Sequence, residues 1–493
     1  MLERDGSIKQ VYRIAGMLKN KYSVSLRFFT IFMVVAICTI FLPFPTRLSA
    51  QNVPSQIITE VSPGSTALSL QDVVNAVNNL WVLVAGILVL MMQLGFAMLE
   101  AGINASKNAV NVLFKNVADA CVGILVYFVC GYALMYRPET CQAMEIPKVD
   151  WIASSYLLLN GGLCARQGAE HLSIYIDFFF QAAFAATAAT ICSGAVAGRI
   201  KPWAYLLLTG IITGLVYPVT GYWAWGGGWL SQLGFHDFAG SLVVHSVGGG
   251  AALAIVMILG SRTEFIEGDE ENLCPHSLPL AAMGTFILWI GWYGFNAGSA
   301  LGIAVDSAEV TADLVGKIVV NTTLSACASA CTCIAYRMAM KSKIDLPTVL
   351  NGLLGGLVAI TASCDVVSPL SSLIIGVFAG FVVIGSINLL AEYKIDDPVG
   401  AIPVHCFCGI WGGLATFCFA DINAGVNADI NFLGQITGSI LIPLYSFGAI
   451  WIFFWWINSM FGIRVTADEE KNGLDWKKHG QYAYFSLEKK DED

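Results

Sequence analysis

Two stretches of the chain read alike: DFAGSLVVH at Asp237–His245 and DPVGAIPVH at Asp397–His405. Each runs Asp, two residues, Gly, three residues, Val, His, and a glycine follows within four residues of each histidine. The second copy begins 160 residues after the first, in a chain with only six histidines. Two histidines in the same frame indicate an internal repeat in which both serve one purpose.

The repeat lies in a strongly apolar chain. Of 493 residues, 56% are hydrophobic and 12% are charged, whereas a soluble domain carries about 25% charged residues. The 49 glycines suit helices that approach closely in lipid. We therefore expect an all-α polytopic membrane protein in a lipid bilayer. The sequence has no basic run that would indicate nucleic acid as a partner.

The first 78 residues are predicted to lie before the membrane domain. Basic residues precede the apolar run 28–42, and RLSAQ follows with Ala50 as a cleavage candidate, which is the order of a signal peptide. Leu48 fits the small-residue rule poorly, so an uncleaved signal anchor is the alternative. Residues 51–78 are then an extracytoplasmic segment.

Eleven later segments are long and apolar enough to cross a core of about 30 Å as helices. They lie near residues 79–101, 114–136, 172–197, 203–222, 237–260, 278–300, 314–337, 346–363, 370–392, 398–420 and 434–461. Residues 79–461 thus form the membrane domain, and 462–493 form a C-terminal tail.

Lysine and arginine predict the orientation, because they concentrate on the cytoplasmic side. Fifteen of the nineteen basic residues after Ala50 are assigned to one set of loops and the tail, including Lys107, Lys115 and Arg199. We therefore expect the N-terminus outside, the C-terminus inside, and a location in the plasma (inner) membrane.

The two copies of the repeat are predicted to enter the membrane from opposite sides. The first copy opens the fifth span from outside and the second opens the tenth from inside, so two five-helix halves are inverted, as in many transporters. Eight residues from Asp to His rise about 12 Å along a helix. From opposite faces of a core of about 30 Å, His245 and His405 would meet near the midplane.

Three roles are open for this histidine pair. The two rings could form a structural hydrogen bond that locks the halves together. They could hold a metal, since histidine is a common ligand and Cys406 and Cys408 are near. They could line an apolar pore as a proton-accepting pair, which fits best because ionisable residues inside membranes are usually functional.

The two aspartates have their own alternatives. Asp is a favoured N-cap and complements the helix dipole, and Pro398 at the first helical position supports capping for Asp397. Asp237 could equally cap its helix or favour a cation at an outer mouth.

Longer motifs resemble a known family. DFAGSLVVHSVGGGAALAIVMILGSR, GWYGFNAGSA, DDPVGAIPVHCFCGIWGG, GFAMLEAG, AWGGGW and the tail IRVTADEEKNGLDWKKHG are similar to the ammonium transporter family (Amt/Mep/Rh), in its Amt branch. The resemblance runs from Trp81 to about Tyr484. It implies eleven helices in two inverted halves plus a long last helix, and a homotrimer with one pore per subunit. No nucleophile–base pair or cofactor loop appears in the sequence, so we expect no enzymatic activity and no cofactor.

The resemblance also implies site residues. Trp225 and Ser299 correspond to an outer site that recruits ammonium, with Tyr217 nearby. Phe184 and Phe295 correspond to stacked rings that close the pore. The same resemblance makes His245 and His405 the twin histidines of the pore and places Trp292 beside them.

The implied function is ammonium transport: recruitment of NH4⁺, its deprotonation, and conduction of NH3 through a hydrophobic pore. The alternatives are an ammonium sensor that signals through a partner, and an Rh-like gas channel, which Trp225 and Ser299 argue against. The resemblance also implies that a cytoplasmic PII-type signalling protein could dock on the inner face. Cys141 and Cys164 share one outer loop, where an oxidising compartment would permit a disulfide.

Overall fold

The protein is described by a computed structural model that covers residues 69–136, 171–269, 273–304, 308–421 and 430–484. Every regular element in these ranges is a helix. Ten of the helices described are long and apolar enough to cross a membrane, and Leu346–Ile360 is a shorter apolar helix. The predicted all-α membrane fold with eleven spans is therefore confirmed.

The spanning helices keep the predicted order, and several include π-helical turns. They are α1 (Leu70–Ile103), α2 (Ala109–Val126, Tyr127–Gly131, Tyr132–Met135), α3 (Ile174–Ala195), α4 (Pro202–Ile211, Ile212–Val216, Tyr217–Ala224), α5 (Ser241–Ser246, Val247–Leu259), α6 (Leu278–Gly298), α7 (Ala308–Ala339), α8 (Leu346–Ile360), α9 (Pro369–Glu392), α10 (Ile402–Phe407, Cys408–Phe419) and α11 (Phe432–Phe461).

Some predicted boundaries and placements change. α1 begins at Leu70, within the segment assigned to the outside, because Ser69 and Asp72 form a capping box there. Lys115, assigned to a loop, is buried inside α2 with 1% of its surface exposed. The predictions for residues 1–50, and for Cys141 and Cys164, lie outside the described residues.

The two repeat copies fold in the same way. The fourth residue of each copy is a glycine at positive φ, Gly240 at 112° and Gly400 at 80°, and a six-residue π-helical stretch that contains the histidine comes after it. The glycine four residues after each histidine brings the two helices together. A Cβ on Gly249 would lie 2.3 Å from the backbone nitrogen of Cys406, and one on Gly409 would lie 2.3 Å from the Ser241 carbonyl oxygen. The backbones of α5 and α10 therefore touch at the level of the histidines.

After α11 the chain packs back onto one end of the bundle, which we call the tail face. This end holds the C-termini of α1 and α5 and the loop before α10. The Arg464 guanidinium donates to the carbonyls of Leu259 (2.9 Å) and Ser261 (2.9 Å) and to the carboxylate of Glu470 (2.8 Å). A short helix, α12 (Ala467–Asn472), carries Glu470. Through residue 484 the tail thus packs against this end of the bundle.

Candidate functional site

The centre of the candidate site is the histidine pair. His245 and His405 are 0% and 3% exposed, and their Nδ1 atoms lie 3.1 Å apart. The ring centroids are 5.2 Å apart with an interplanar angle of 23°. The inverted halves therefore place both imidazoles in direct contact inside the bundle.

The contact between the two Nδ1 atoms determines which ring nitrogens carry hydrogen when both imidazoles are neutral. One Nδ1 must carry hydrogen and donate, and the other must accept. A neutral imidazole carries one N–H, so the donor ring has a free lone pair on Nε2 while the acceptor ring has hydrogen on Nε2. The pair thus presents one proton acceptor and one proton donor at its two ends.

Aromatic rings continue the line from His245 toward the end opposite the tail face. Phe295 lies 5.2 Å from His245, and Phe184 stacks on Phe295 at 4.0 Å with an angle of 18°. Trp292 stacks on His245 at 4.9 Å and 17°. All three of these aromatic residues are at most 1% exposed. The structure therefore brings Phe184, Phe295, Trp292 and both histidines into one apolar column.

Trp225 lies at the end of α4, opposite the tail face, and is only partly buried. Its Nε1 donates to the backbone carbonyl of Asp237 (2.7 Å). A Cβ on Gly240 would lie 3.1 Å from the Trp225 ring. The start of α5 therefore holds this indole in place.

Asp237 acts through capping. Its two carboxylate oxygens accept hydrogen bonds from the amides of Gly240 (3.1 Å), Ser241 (2.8 Å), Leu242 (2.9 Å) and Val243 (2.9 Å). The residue is 4% exposed. Both carboxylate oxygens are thus engaged by backbone amides, as in a helix cap. Asp397 caps α10 in the equivalent manner, with 2.7 Å to the Ile402 amide.

The other two predicted residues sit beside the column. The Ser299 hydroxyl donates to the Phe295 carbonyl (2.8 Å), which leaves its oxygen lone pairs free to accept. Tyr217 is buried in α4, where its ring lies 6.0 Å from Tyr127 and its hydroxyl 3.4 Å from the side-chain oxygen of Gln181. Tyr217 therefore borders the site without joining the stacked rings.

The described residues contain no group of three His, Cys, Asp or Glu side chains that could hold a metal ion. Cys406 is buried next to His405, and a Cβ on Gly249 would lie 2.7 Å from its Cβ. Cys408 donates to the Ala379 carbonyl (3.8 Å). Neither thiol adds a third ligand to the histidine pair.

Comparison with known proteins identifies the family. The family model described as Ammonium Transporter Family matches residues 80–484. The chain belongs to the ammonium transporter family. It is accordingly a multi-pass membrane protein, and its curated relatives carry the names of transporters.

Relatives of this family match most of the chain. A Synechocystis protein is 48% identical over 84% of this chain and 90% of its own length. The Archaeoglobus fulgidus ammonium transporter Amt2 is 40% identical over 83% of this chain and 88% of its own length. A solved structure titled Sensor Amt Protein has a TM-score of 0.72 and 34% identity, covering 83% of this chain and all of that chain. Mep2 from Candida albicans has a TM-score of 0.70 and 26% identity, covering 85% and 92%.

The structure also reveals members of the site that sequence reasoning missed. The Thr361 hydroxyl accepts the Trp292 Nε1 hydrogen (2.8 Å) and fixes that indole. Phe96 lies 5.9 Å from His405. Phe96 lies in the motif GFAMLEAG, whose apolar residues are spaced as in any apolar helix. No local signal marks Thr361, since its partner is 69 residues away.

Proposed function

We propose that this member of the family transports ammonium by separating NH4⁺ into NH3 and a proton. The cation is recruited at the partly buried Trp225, whose ring face attracts it, and at the Ser299 hydroxyl oxygen, which accepts one of its N–H hydrogens. A bare cation is heavily penalised in an apolar column. Ammonia then passes the stacked Phe184 and Phe295 rings and reaches the histidines.

The observation that carries this proposal is the 3.1 Å contact between the two Nδ1 atoms. One N–H bond of NH4⁺ breaks, and its proton bonds to the free Nε2 of one ring, which displaces the Nδ1 proton to the other ring. The second ring then releases its Nε2 proton, so one proton moves along the pair and both rings end neutral with their tautomers exchanged. Trp292, stacked on His245, holds the first ring in orientation for this exchange.

The test is replacement of each histidine. His245→Leu and His405→Leu should each abolish the current evoked by an ammonium pulse on proteoliposomes, or let K⁺ pass. The double variant should give the same current and selectivity as each single variant, because proton transfer along the pair requires both histidines. Size-exclusion profiles equal to wild type would serve as the folding control. Full current and selectivity in both single variants would reduce the pair to a structural hydrogen bond.

Ammonium sensing is the second candidate function. It is favoured by the 34% identity to the structure titled Sensor Amt Protein. Sensing and transport differ in output, because a sensor without transport would bind ammonium and conduct nothing. The current measurement therefore separates them. An Rh-like gas channel is disfavoured by Trp225 and Ser299 at the recruiting end.

The proposal also includes how the protein assembles, where it lies and what binds it. We infer a homotrimer with one pore in each subunit, in the plasma membrane, with the tail face in the cytoplasm as the loop lysines and arginines indicate. A PII-type signalling protein is the proposed partner at that face.

A further inference from the structure

A small cavity lies next to His405 on the tail side of the histidine pair. Its volume is about 20 Å³, enough for one molecule of water or ammonia, since one water needs roughly 10–15 Å³ on this measure. Glu100 and His405 both line it. Apart from Asn351, the other lining residues are apolar. Glu100 and His405 therefore border one cavity that fits a single small molecule.

Glu100 is an unusual residue for this position. It lies on α1, three residues before the helix ends, and is 2% exposed. A buried carboxylate is costly unless hydrogen bonds and counter-charges compensate. Its Oε2 accepts a hydrogen bond from Asn116 Nδ2 at 3.0 Å, so the structure holds the carboxyl group in place.

The charged groups behind Glu100 come from α2, with partners on α3 and α4. Lys115, 1% exposed, donates to the Ser193 carbonyl (2.6 Å) rather than to the Glu100 carboxylate, and its ammonium lies 5.2 Å from the centre of the Tyr205 ring. Asp119, 0% exposed, accepts a hydrogen bond from the Tyr205 hydroxyl. Lys115 thus supplies positive charge near Glu100 without direct contact.

We propose that Glu100 is a second proton-transfer group, which takes the proton leaving His405 and returns it to ammonia on the tail side. The inference rests on the proposed transport function and extends it beyond the twin histidines. A purely structural ion pair would gain most by direct contact between Lys115 and Glu100. Here Glu100 instead lines the cavity that His405 borders.

The step balances without any added reactant. The Nε2–H bond of His405 breaks, its proton crosses the cavity directly or through one water, and an O–H bond forms on Glu100. The imidazole becomes neutral and the carboxylate becomes a carboxylic acid. Ammonia in the cavity then takes this proton, which leaves NH4⁺ on the tail side and regenerates the carboxylate. Lys115 compensates the carboxylate charge whenever the proton is absent.

The experiment compares Glu100→Gln with wild type in proteoliposomes. Glutamine keeps an oxygen that can accept the Asn116 hydrogen bond but cannot take a proton. We expect ammonium-driven current to fall by about 100-fold, the lower end of what a positioned acid–base group contributes. Uptake of ammonia, followed with an internal pH dye, should fall less. Glu100→Asp should keep part of the current and shift its pH profile.

A matched double variant separates proton transfer from charge balance. Glu100→Gln removes the Glu100 charge and leaves that of Lys115, whereas Glu100→Gln with Lys115→Met removes both charges. If Glu100 transfers protons, the double variant also lacks current. Recovery of current in the double variant, or an unchanged ratio of current to uptake in Glu100→Gln, would overturn the proposal.

Infrared spectra and the transport of the wild type cover the remaining outcomes. If Glu100→Gln does not fold, infrared spectra of the unaltered protein should still show a carboxylic acid band that changes on an ammonium pulse, and its absence would count against the proposal. If wild type itself shows neither current nor uptake, the transport function fails first. Normal wild-type transport with normal Glu100→Gln transport rejects the role of Glu100 alone.

Discussion

At the scale of single residues, Asp237 and Trp225 show how one residue supports another. The Asp237 carboxylate caps α5 through four amides, while its backbone carbonyl accepts the Trp225 indole hydrogen. Capping typically contributes about 0.5–2 kcal/mol to stability. The same residue therefore fixes the start of the helix that carries His245 and holds the Trp225 indole in place.

Replacement of Trp225 tests whether this residue recruits ammonium. Trp225→Leu removes the ring face and should weaken apparent ammonium affinity by about 0.5–2 kcal/mol, the magnitude of a cation–π contact. Trp225→Phe keeps a face and loses only the hydrogen bond to Asp237, so it should keep more affinity. The measurement is the concentration dependence of uptake, with Trp455→Leu on the exposed side of α11 as the control. An unchanged dependence in Trp225→Leu would reject recruitment at this site.

At the scale of elements, the sequence predicted more of the fold than of the site. Ten spans were predictable from apolar length alone, whereas the eighth, the shorter helix α8, was predicted from its apolar composition. The repeated frame predicted the meeting of α5 and α10. Lys115 was misplaced because a lysine near a span end is ordinarily a loop residue. Its actual surroundings, Ser193 and Tyr205, come from helices far along the chain. The hydrogen bond between Trp292 and Thr361 could not be predicted either, because its partners are 69 residues apart.

The docking of the tail onto α2 should depend on pH through two opposed groups. Asp475 accepts hydrogen bonds from the amides of Val110 (3.0 Å) and Asn111 (2.9 Å), and burial raises its pKa to about 6. The protonated form of Asp475 therefore stabilises the docked tail. This stabilisation is complete below about pH 4 and is lost as the pH rises through 6. Burial lowers the pKa of His479, so its contribution is present above about pH 6.5 and is lost as the pH falls.

Two variants separate these contributions. With His479→Gln, acidification from pH 7 to 5 should tighten docking, whereas with Asp475→Asn it should loosen docking. Hydrogen exchange at the Leu474 amide, which donates to the Asn108 side-chain oxygen (2.9 Å), reports docking once corrected for intrinsic exchange. Equal pH dependence in the two variants would contradict this account.

At the scale of the whole molecule, the tail face joins distant parts of the chain. Lys107 from the α1–α2 loop donates to Glu264 (2.9 Å) after α5 and to the Lys471 carbonyl (2.8 Å) in the tail. Arg262 pairs with Asp396 before α10 (2.7 Å). These contacts link both halves of the repeat to one surface, so a partner bound there could act on the pore.

The tail face is the proposed docking surface of a PII-type signalling protein. We expect a PII-type signalling protein to be captured from native membranes by the tagged transporter, as a complex containing three transporter chains. Capture should differ with and without ATP and 2-oxoglutarate, because such a protein would report metabolic state through these ligands. The His245→Leu variant is the control: its change lies in the buried centre and leaves the tail face intact, so capture should persist while current is lost. Absence of any such partner under every condition would count against docking, and a complex of any other size would count against the trimer.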